Sequence, residues 1–446
     1  MNNRFPKLLT VLSLSAMLTL SACGSSSNNN GNAANAGGNG AGQEEESFTL
    51  KVPDAEIWGE ESSALQTMYD LYEDKHPNVK LEQVTMKDDQ TLAAALVSGE
   101  APDLMLMDPS AAKERFKSNY IAPMDEYYTK YGWDQTMYKW AKNAYVEDGK
   151  AIGIPWNYEG LIVMYNESMF KENGWTIPTN YNELMALVPK IKDKGIMPFA
   201  WGSSDNPGVD DWWVTSIVNS VLGPEGTKQL FSGDTKWTDP TIVDAIQRYS
   251  DFWNAGYVTD KKSYAISQED SMQLFLTGKA AMRLDGTWAL ASDNEPDFDI
   301  GFAPFPSWKK DGTPVIPLGV GGGLVINAQS EHKDAVAELL NDFFSPEVVK
   351  EMAAHGIPEP VETDFSTMEL KPNVSKALDM INEAAQAGSS GYVAWSYGPP
   401  RVVQVLESDF PSVYLKKTTV QDWLGNLQKL KEQDVAEKRL FDLQNY

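Results

Sequence analysis

The sequence predicts an α/β protein built from two domains, and three observations carry that expectation. At 446 residues the chain is too long for one ordinary core and suits two. Between residues 48 and 107, short apolar stretches with a period of two take turns with segments of helical period, as strands and helices in alternation do. Leu104, Met105, Leu106 and Met107 then form an unbroken apolar run, which suits a strand buried on both faces of a sheet.

Composition narrows the class. Hydrophobic residues at 42% and aromatics at 11% are enough for a packed interior. Past the amino terminus there is no uninterrupted apolar span of about 18 residues. Lys and Arg number 37 against 63 Asp and Glu, a net charge of −26. Such a field repels phosphate backbones and argues against nucleic acid as a partner.

Residues 1–22 have the layout of a signal peptide: Arg4 and Lys7 precede an apolar segment over 8–20, and Ser21 and Ala22 supply small residues before a cleavage point. Leu20-Ser21-Ala22-Cys23 resembles the lipobox of bacterial lipoproteins, which implies a lipidated Cys23 as the mature amino terminus. Cys23 is the chain's single cysteine, so no internal disulfide is available. Residues 23–46, rich in Ser, Asn, Gly and Ala and ending in Glu44, Glu45 and Glu46, have the composition of a flexible tether.

The folded body is expected to open with a strand through Phe48, Leu50 and Val52. A helix follows, with Leu65, Met68, Tyr69 and Tyr72 on its buried face, then a strand through Val79, Leu81 and Val84, and a helix over 92–97. With the 104–107 strand this makes a doubly wound α/β unit, and Asp108 leaves the carboxyl end of its last strand, where ligands of such sheets bind. Asn180 and Glu183 have capping spacing ahead of Leu184, Leu187, Val188 and Ile191, with Pro189 set to kink that helix. Further helices are expected over 214–222, 242–253 and 272–275. Strands are expected at 198–201, 280–284, 300–305 and 324–327. Val336, Leu339, Leu340 and Phe343 mark a helix ended by Pro346, and residues 373–446 read as mostly helical apart from an aromatic loop over 392–401.

Residues 153–166, GIPWNYEGLIVMYN, are the pivotal stretch. Two short apolar strands flank Trp156, Tyr158 and Glu159. They would form either a hairpin or a single path leaving one domain for the next, and the crossing is the expectation.

Few catalytic constellations are present. His76, His332 and His355 have no motif spacing, and the Gly319 to Gly323 run lacks both the Lys-Ser/Thr of a phosphate loop and a dinucleotide fingerprint. Asp205, Asn206, Asp210 and Asp211 are oxygen donors without the spacing of a calcium loop. No cofactor is expected. The 14 Trp residues are more telling. Trp58 lies beside Glu60 and Glu61, Trp156 beside Glu159, Trp201 near Asp205, Trp212 after Asp211, Trp288 after Asp285, and Trp395 near Tyr397 and Arg401. An indole covers the C–H face of a pyranose while acidic or basic neighbours take its hydroxyls, so the pairing suits a polar ring-shaped ligand.

These residues, taken with Gly99-Glu100-Ala101-Pro102-Asp103, Gly153-Ile154-Pro155 through Tyr165-Asn166, Gly278-Lys279-Ala280-Ala281-Met282 with Gly286-Thr287-Trp288, and Gly321-Gly322 leading to Ile326-Asn327, resemble the bacterial extracellular solute-binding proteins, family 1, of carbohydrate ABC transporters. The resemblance implies a type II periplasmic-binding-protein fold with two lobes, hinge strands and an interlobe cleft. Lobe one would comprise 47–156 and 319–358, and lobe two 159–317 and 359–446. It implies a non-enzymatic, monomeric receptor, held by its lipid on the outer face of the cytoplasmic membrane, that delivers a sugar or oligosaccharide to permease subunits. The candidate ligand contacts are Trp58, Glu60, Asp108, Trp156, Tyr158, Glu159, Trp201, Asp211, Trp212, Asp285, Trp288, Gly322, Trp395 and Arg401; the resemblance implies Trp58, Glu60, Asp108, Trp156, Tyr158, Glu159 and Trp288, while no family motif fixes Trp201, Trp212 or Trp395 and the Arg401 segment departs from the family pattern. A surface glycoside hydrolase, or the same scaffold binding a peptide or polyamine, are the alternatives.

Overall fold

Four hydrogen-bonded sheets are found among the described residues, and they fall into two regions. The computed structural model describes residues 47–55, 63–86, 89–291, 296–386 and 390–443. The expected leader, Cys23, the tether, Trp58 and Glu60 lie outside the described residues.

The first set of strands holds β1 (Phe48–Pro53) parallel to β2 (Val79–Val84), in register from Phe48 opposite Val79. The helix Ser63–Lys75 buries Leu65, Met68, Tyr69 and Tyr72, one stripe of helical spacing, and the Tyr69 hydroxyl donates to the Pro53 carbonyl at 2.8 Å. The apolar run 104–107 is β3 (Leu104–Met107), tied to β1 by the Asp103 amide donating to the Lys51 carbonyl at 2.9 Å. A small antiparallel pair, β4 (Val146–Glu147) and β5 (Lys150–Ala151), precedes β6 (Ile154–Pro155).

The second sheet centres on β7 (Tyr158–Asn166), whose nine residues are all buried except Tyr165, which is half-buried. β8 (Met197–Ala200) runs parallel to β9 (Ala280–Gly286), and β9 runs antiparallel to β7. β10 (Ile300–Pro304) and β11 (Pro317–Val320) are also antiparallel to β7, and β13 (Gly391–Tyr392) extends the sheet beyond β11. β12 (Gly323–Ile326) belongs elsewhere: it lies between β3 and β6 in the first region, antiparallel to both.

Strand partners decide the two readings of residues 153–166. β6 pairs with β12 and β7 with β9, β10 and β11, so the segment is one path from sheet to sheet and not a hairpin. The return path runs through Gly321 and Gly322. Residues 319 and 320, expected on the first lobe, instead pair with Glu159 and Tyr158 as the end of β11, because the ladder to β7 continues through Val320. A third passage lies near residue 358, where the Tyr158 amide donates to the Pro358 carbonyl at 2.9 Å.

The helices follow their expected places with local differences. Tyr181–Asp193 is capped by the Asn180 side chain, which accepts from the Glu183 amide, and it runs on through Pro189. The helix through Val336 ends at Asp342, and Pro346 opens a second helix, Pro346–Ala354, as Pro favours the first turn; Ser345 caps it. One apolar core gathers Leu50, Leu65, Leu104, Ile154, Leu324 and Leu340, and a larger one gathers Val163, Phe199, Trp213, Ile246 and Leu424. Among the described residues no helix is long and apolar enough to cross a membrane.

Candidate functional site

All three passages between the sheets meet at one cavity of about 400 Å³. Trp156, Asn157 and Glu159 line it from the first passage, Gly321 from the second and Ile357 from the third. Asp108 reaches it from the end of β3, where it begins the helix Pro109–Lys117 without capping it through its side chain.

Three indoles and an amide close the other side. Asn206 lies in the loop ahead of the helix Asp211–Ser232, and Trp212 in that helix's first turn. Trp288 follows β9 in the turn Thr287–Ala291, and Trp395 lies in the short helix Ala394–Tyr397. The three indoles are half-buried and meet edge to face: Trp212 and Trp288 have centroids 4.9 Å apart, Trp288 and Trp395 6.2 Å. Edge-to-face rings lock one another and leave rigid apolar surface.

A hydrogen-bonded carboxylate organises the floor. Glu159, only 8% exposed, accepts from Trp395 Nε1 at 3.0 Å and from Asn157 Nδ2 at 3.2 Å, and Asn157 Oδ1 accepts from the Gly321 amide at 3.1 Å. A Cβ at position 321 would fall 2.5 Å from both Asn157 Oδ1 and Glu159 Oε2, so glycine is what lets the two passages close on each other here. Gly286 plays a comparable part for Trp288, whose ring would lie 2.1 Å from a Cβ at 286.

Of the sequence-derived contacts, the cavity brings together Asp108, Trp156, Glu159, Trp212, Trp288 and Trp395. Trp156 is almost wholly buried and stacks on Phe343 with centroids 5.2 Å apart, so it contributes mainly packing. The other described residues do different work. Tyr158 points to the opposite side of its strand from Asn157 and Glu159, packing edge-on against Tyr138 and Trp140. Trp201 is sealed in the core, donating from Nε1 to Asp210 Oδ1 at 2.7 Å, one ring behind Trp212. Asp211 is buried and accepts from the Thr215 hydroxyl at 2.8 Å. Asp285 forms a buried ion pair with Arg283 at 2.5 Å and accepts from the Gly286 amide. Gly322 offers its carbonyl to the Trp156 amide at 2.8 Å. Arg401 is engaged by Asp434 and Glu437, each at 2.7 Å, away from the cavity.

Asn157, Asn206, Gly321 and Ile357 line the cavity without being among the expected ligand contacts. Strand alternation was the available signal for Asn157, since it shares a face with Glu159. The oxygen donors considered for calcium have separate partners: Asp205 accepts from the Gln268 amide, Asn206 from the Gly208 amide, and Asp210 from Trp201, Ser203 and Tyr414. Among the described residues no three His, Cys, Asp or Glu side chains gather as a metal site. Burial pushes Asp210 up to about 6 against those three donors, and pushes Asp211 up to about 8, with Thr215 opposing and Glu407 adding.

Comparison with known proteins agrees with this architecture. A multiple sugar-binding protein of Streptococcus mutans is 25% identical over 284 residues, covering 61% of this chain and 66% of that protein. A maltotriose-binding protein of Pyrococcus abyssi is 24% identical over 304 residues, covering 66% of this chain and 62% of that protein. The chain thus spans less than two thirds of the length of these curated relatives. Among solved structures, a chitin oligosaccharide binding protein superposes with a TM-score of 0.75 at 22% identity, covering 87% of this chain and all of the other, which shows the two-lobe periplasmic-binding fold. The family model of the bacterial extracellular solute-binding proteins matches residues 58–350, and the chain belongs to that family.

Proposed function

We propose that the protein is the receptor of an ABC transporter: it captures an oligosaccharide in the cavity, closes over it and hands it to permease subunits without chemical change. The observation that carries this reading is the placement of three mutually braced indoles opposite a buried Glu159–Asn157 pair, at the point where all three interlobe passages meet. Indoles supply faces for sugar rings, and the carboxylate and amide supply hydrogen-bond partners for hydroxyls. A ligand touching both lobes at their hinge stabilises the closed arrangement over the open one, which is all that closure requires.

In this reading lobe one is 47–156 with 322–357 and lobe two is 158–320 with 359–443, the boundaries falling at the three passages. The relatives named above, a multiple sugar-binding and a maltotriose-binding protein, support a saccharide as the ligand class. Lipidation at Cys23 would hold the receptor as a monomer at the outer face of the cytoplasmic membrane, with the 23–46 segment as its tether; metabolic labelling with a fatty acid, lost on Cys23→Ser, tests this. The binding reading is tested by titrating a panel of neutral oligosaccharides while following Trp fluorescence. Saturable change with intact ligand recovered afterwards is expected. Shortened products would instead identify a glycoside hydrolase.

A further inference from the structure

We infer that the segment Arg439–Phe441 of lobe two is a latch that engages the helix Pro109–Lys117 of lobe one when the cleft closes, and that it sets ligand affinity without touching the ligand. This rests on the reading of the cavity as a saccharide site between two lobes and adds the residues that control its closing.

The segment is presented by the end of a helix. Val420–Ala436 stops at Glu437, and Lys438 takes a left-handed backbone (φ 56°) that folds the chain back, with the Arg439 amide donating to the Asp434 carbonyl at 2.9 Å. Phe441 then meets Tyr397 edge to face with centroids 5.7 Å apart, and the Leu440 side chain lies over Gly233. Arg401 pairs with Glu437 at 2.7 Å and Glu437 with Arg439 at 3.0 Å, so the Arg439 guanidinium is braced from behind. All of these partners lie in lobe two and travel with it.

Two contacts cross to the other lobe. Arg439 Nη1 lies 2.5 Å from Glu114 Oε1, and the Lys113 ammonium sits 3.4 Å from the centre of the Phe441 ring. The helix that carries Lys113 and Glu114 begins directly after Asp108, on one wall of the ligand cavity. Tyr397, under Phe441, shares its short helix with Trp395 on the opposite wall. Neither contact belongs to the three passages. A rotation about those passages that draws Asp108 away from Trp395 therefore parts Lys113 from Phe441 and Glu114 from Arg439 as well.

The interface has the character of one that opens. A second cavity of about 420 Å³ lies between the two surfaces, lined by Lys117 and Glu147 from lobe one and by Pro400, Glu437 and Leu440 from lobe two. Permanent core contacts pack without such gaps. Glu114 and Arg439 are 56% and 39% exposed, and an ion pair so open to water is weak enough to break. Lys113 is the stronger element. Its side chain is 12% exposed, so closing moves its ammonium from water onto the ring face of Phe441 and opening returns it. Contacts present only in the closed arrangement tilt the equilibrium towards it, which raises ligand affinity and slows release.

The test uses the full chain and the tightest binder from the oligosaccharide panel, with maltotriose, raffinose and chitin oligomers in that panel. Arg439→Gln should weaken calorimetric affinity about twofold, Phe441→Leu about fivefold and the two together about tenfold. Most of the loss should be faster release, followed by stopped-flow Trp fluorescence. Lys113→Met, on the other lobe, removes the same ammonium–ring contact: it should weaken binding about as much as Phe441→Leu, and the pair little more than either alone. A merely structural role would instead lower the urea midpoint of the ligand-free chain and leave release unchanged. Affinity and release equal to wild type in the Arg439→Gln, Phe441→Leu double variant would overturn the latch and leave the saccharide reading standing. If the wild type binds no saccharide, that reading fails, and small-angle scattering of the ligand-free chain decides the latch: a larger radius of gyration in the double variant than in the wild type is expected, and equal radii overturn it.

Discussion

Two carboxylate–indole hydrogen bonds in this protein are chemically alike and do opposite things. Asp210 accepts from Trp201 at 2.7 Å inside the core, with Ser203 and Tyr414 completing its shell. Glu159 accepts from Trp395 at 3.0 Å with Asn157 beside it, on the wall of a cavity. In the first pair every donor comes from the protein, so the group is finished and structural. In the second the donors also come from the protein, but the ring and the carboxylate border open volume. The carboxylates that take these two indole N–H groups lie 9 and 236 residues away in sequence, so only the fold says which acid an indole meets.

This contrast is broken most sharply by truncating each indole. Trp201→Ala should cost about 3–5 kcal/mol of stability in urea unfolding, the range for deleting a fully buried aromatic. Trp288→Ala should cost much less stability and about 2 kcal/mol of ligand affinity, as for an aromatic hot spot, read by calorimetric titration. A result in which both variants lose stability equally and ligand affinity not at all would erase the distinction.

Gly321→Ala sharpens the comparison at smaller scale. The atoms that a Cβ would strike are the tips of Asn157 and Glu159, which can swing aside. Stability should change little, whereas the displaced Glu159 should lose its bond to Trp395 and weaken binding by about 1 kcal/mol. The buried carboxylates of the core side give a pH test. Because Asp211 holds its proton up to about 8 when folded, against an ordinary value of 3.8, the folded state binds more protons than the unfolded one across that window. Stability contributed by this group is therefore greatest at low pH and is lost as pH rises towards 8, with a slope of at most about 1.4 kcal/mol per pH unit. Asp211→Asn should flatten that part of the profile in urea midpoints measured from about pH 5 to 8. Arg401→Ala, whose ion pairs lie away from the cavity, should leave ligand affinity unchanged within about twofold.

Much of the fold was legible because burial leaves continuous apolar runs: residues 104–107, 161–164 and 324–326 are such runs and all form strands, the latter two central in their sheets. The passage at 153–166 was legible through its neighbours' motifs, and strand period separates Tyr158 from Glu159, but it does not place Trp156, because residues 156 and 157 lie between β6 and β7 and not in a strand. Trp156, Tyr158 and Glu159 cannot all face one side of an extended chain, and the structure turns Tyr158 away. Less legible was the fate of each indole. Trp201 and Trp212 both follow or precede acidic residues at short spacing, yet Trp201, directly after β8, is buried in the core and Trp212, in the first turn of the helix Asp211–Ser232, stays at the cavity. Arg401 carried no local sign that Asp434, thirty-three residues later, would claim it. Such long-range partners are set by helix packing, which sequence neighbours do not encode.

The central claim is that the cavity at the three passages is where a saccharide binds. Calorimetric titration of the wild-type chain and of Trp288→Ala with the best ligand from the oligosaccharide panel tests it most directly. One site per chain is expected in the wild type, with an affinity at least about tenfold weaker in the variant at nearly unchanged thermal stability. Equal affinity in the two proteins would place the ligand elsewhere and contradict the account.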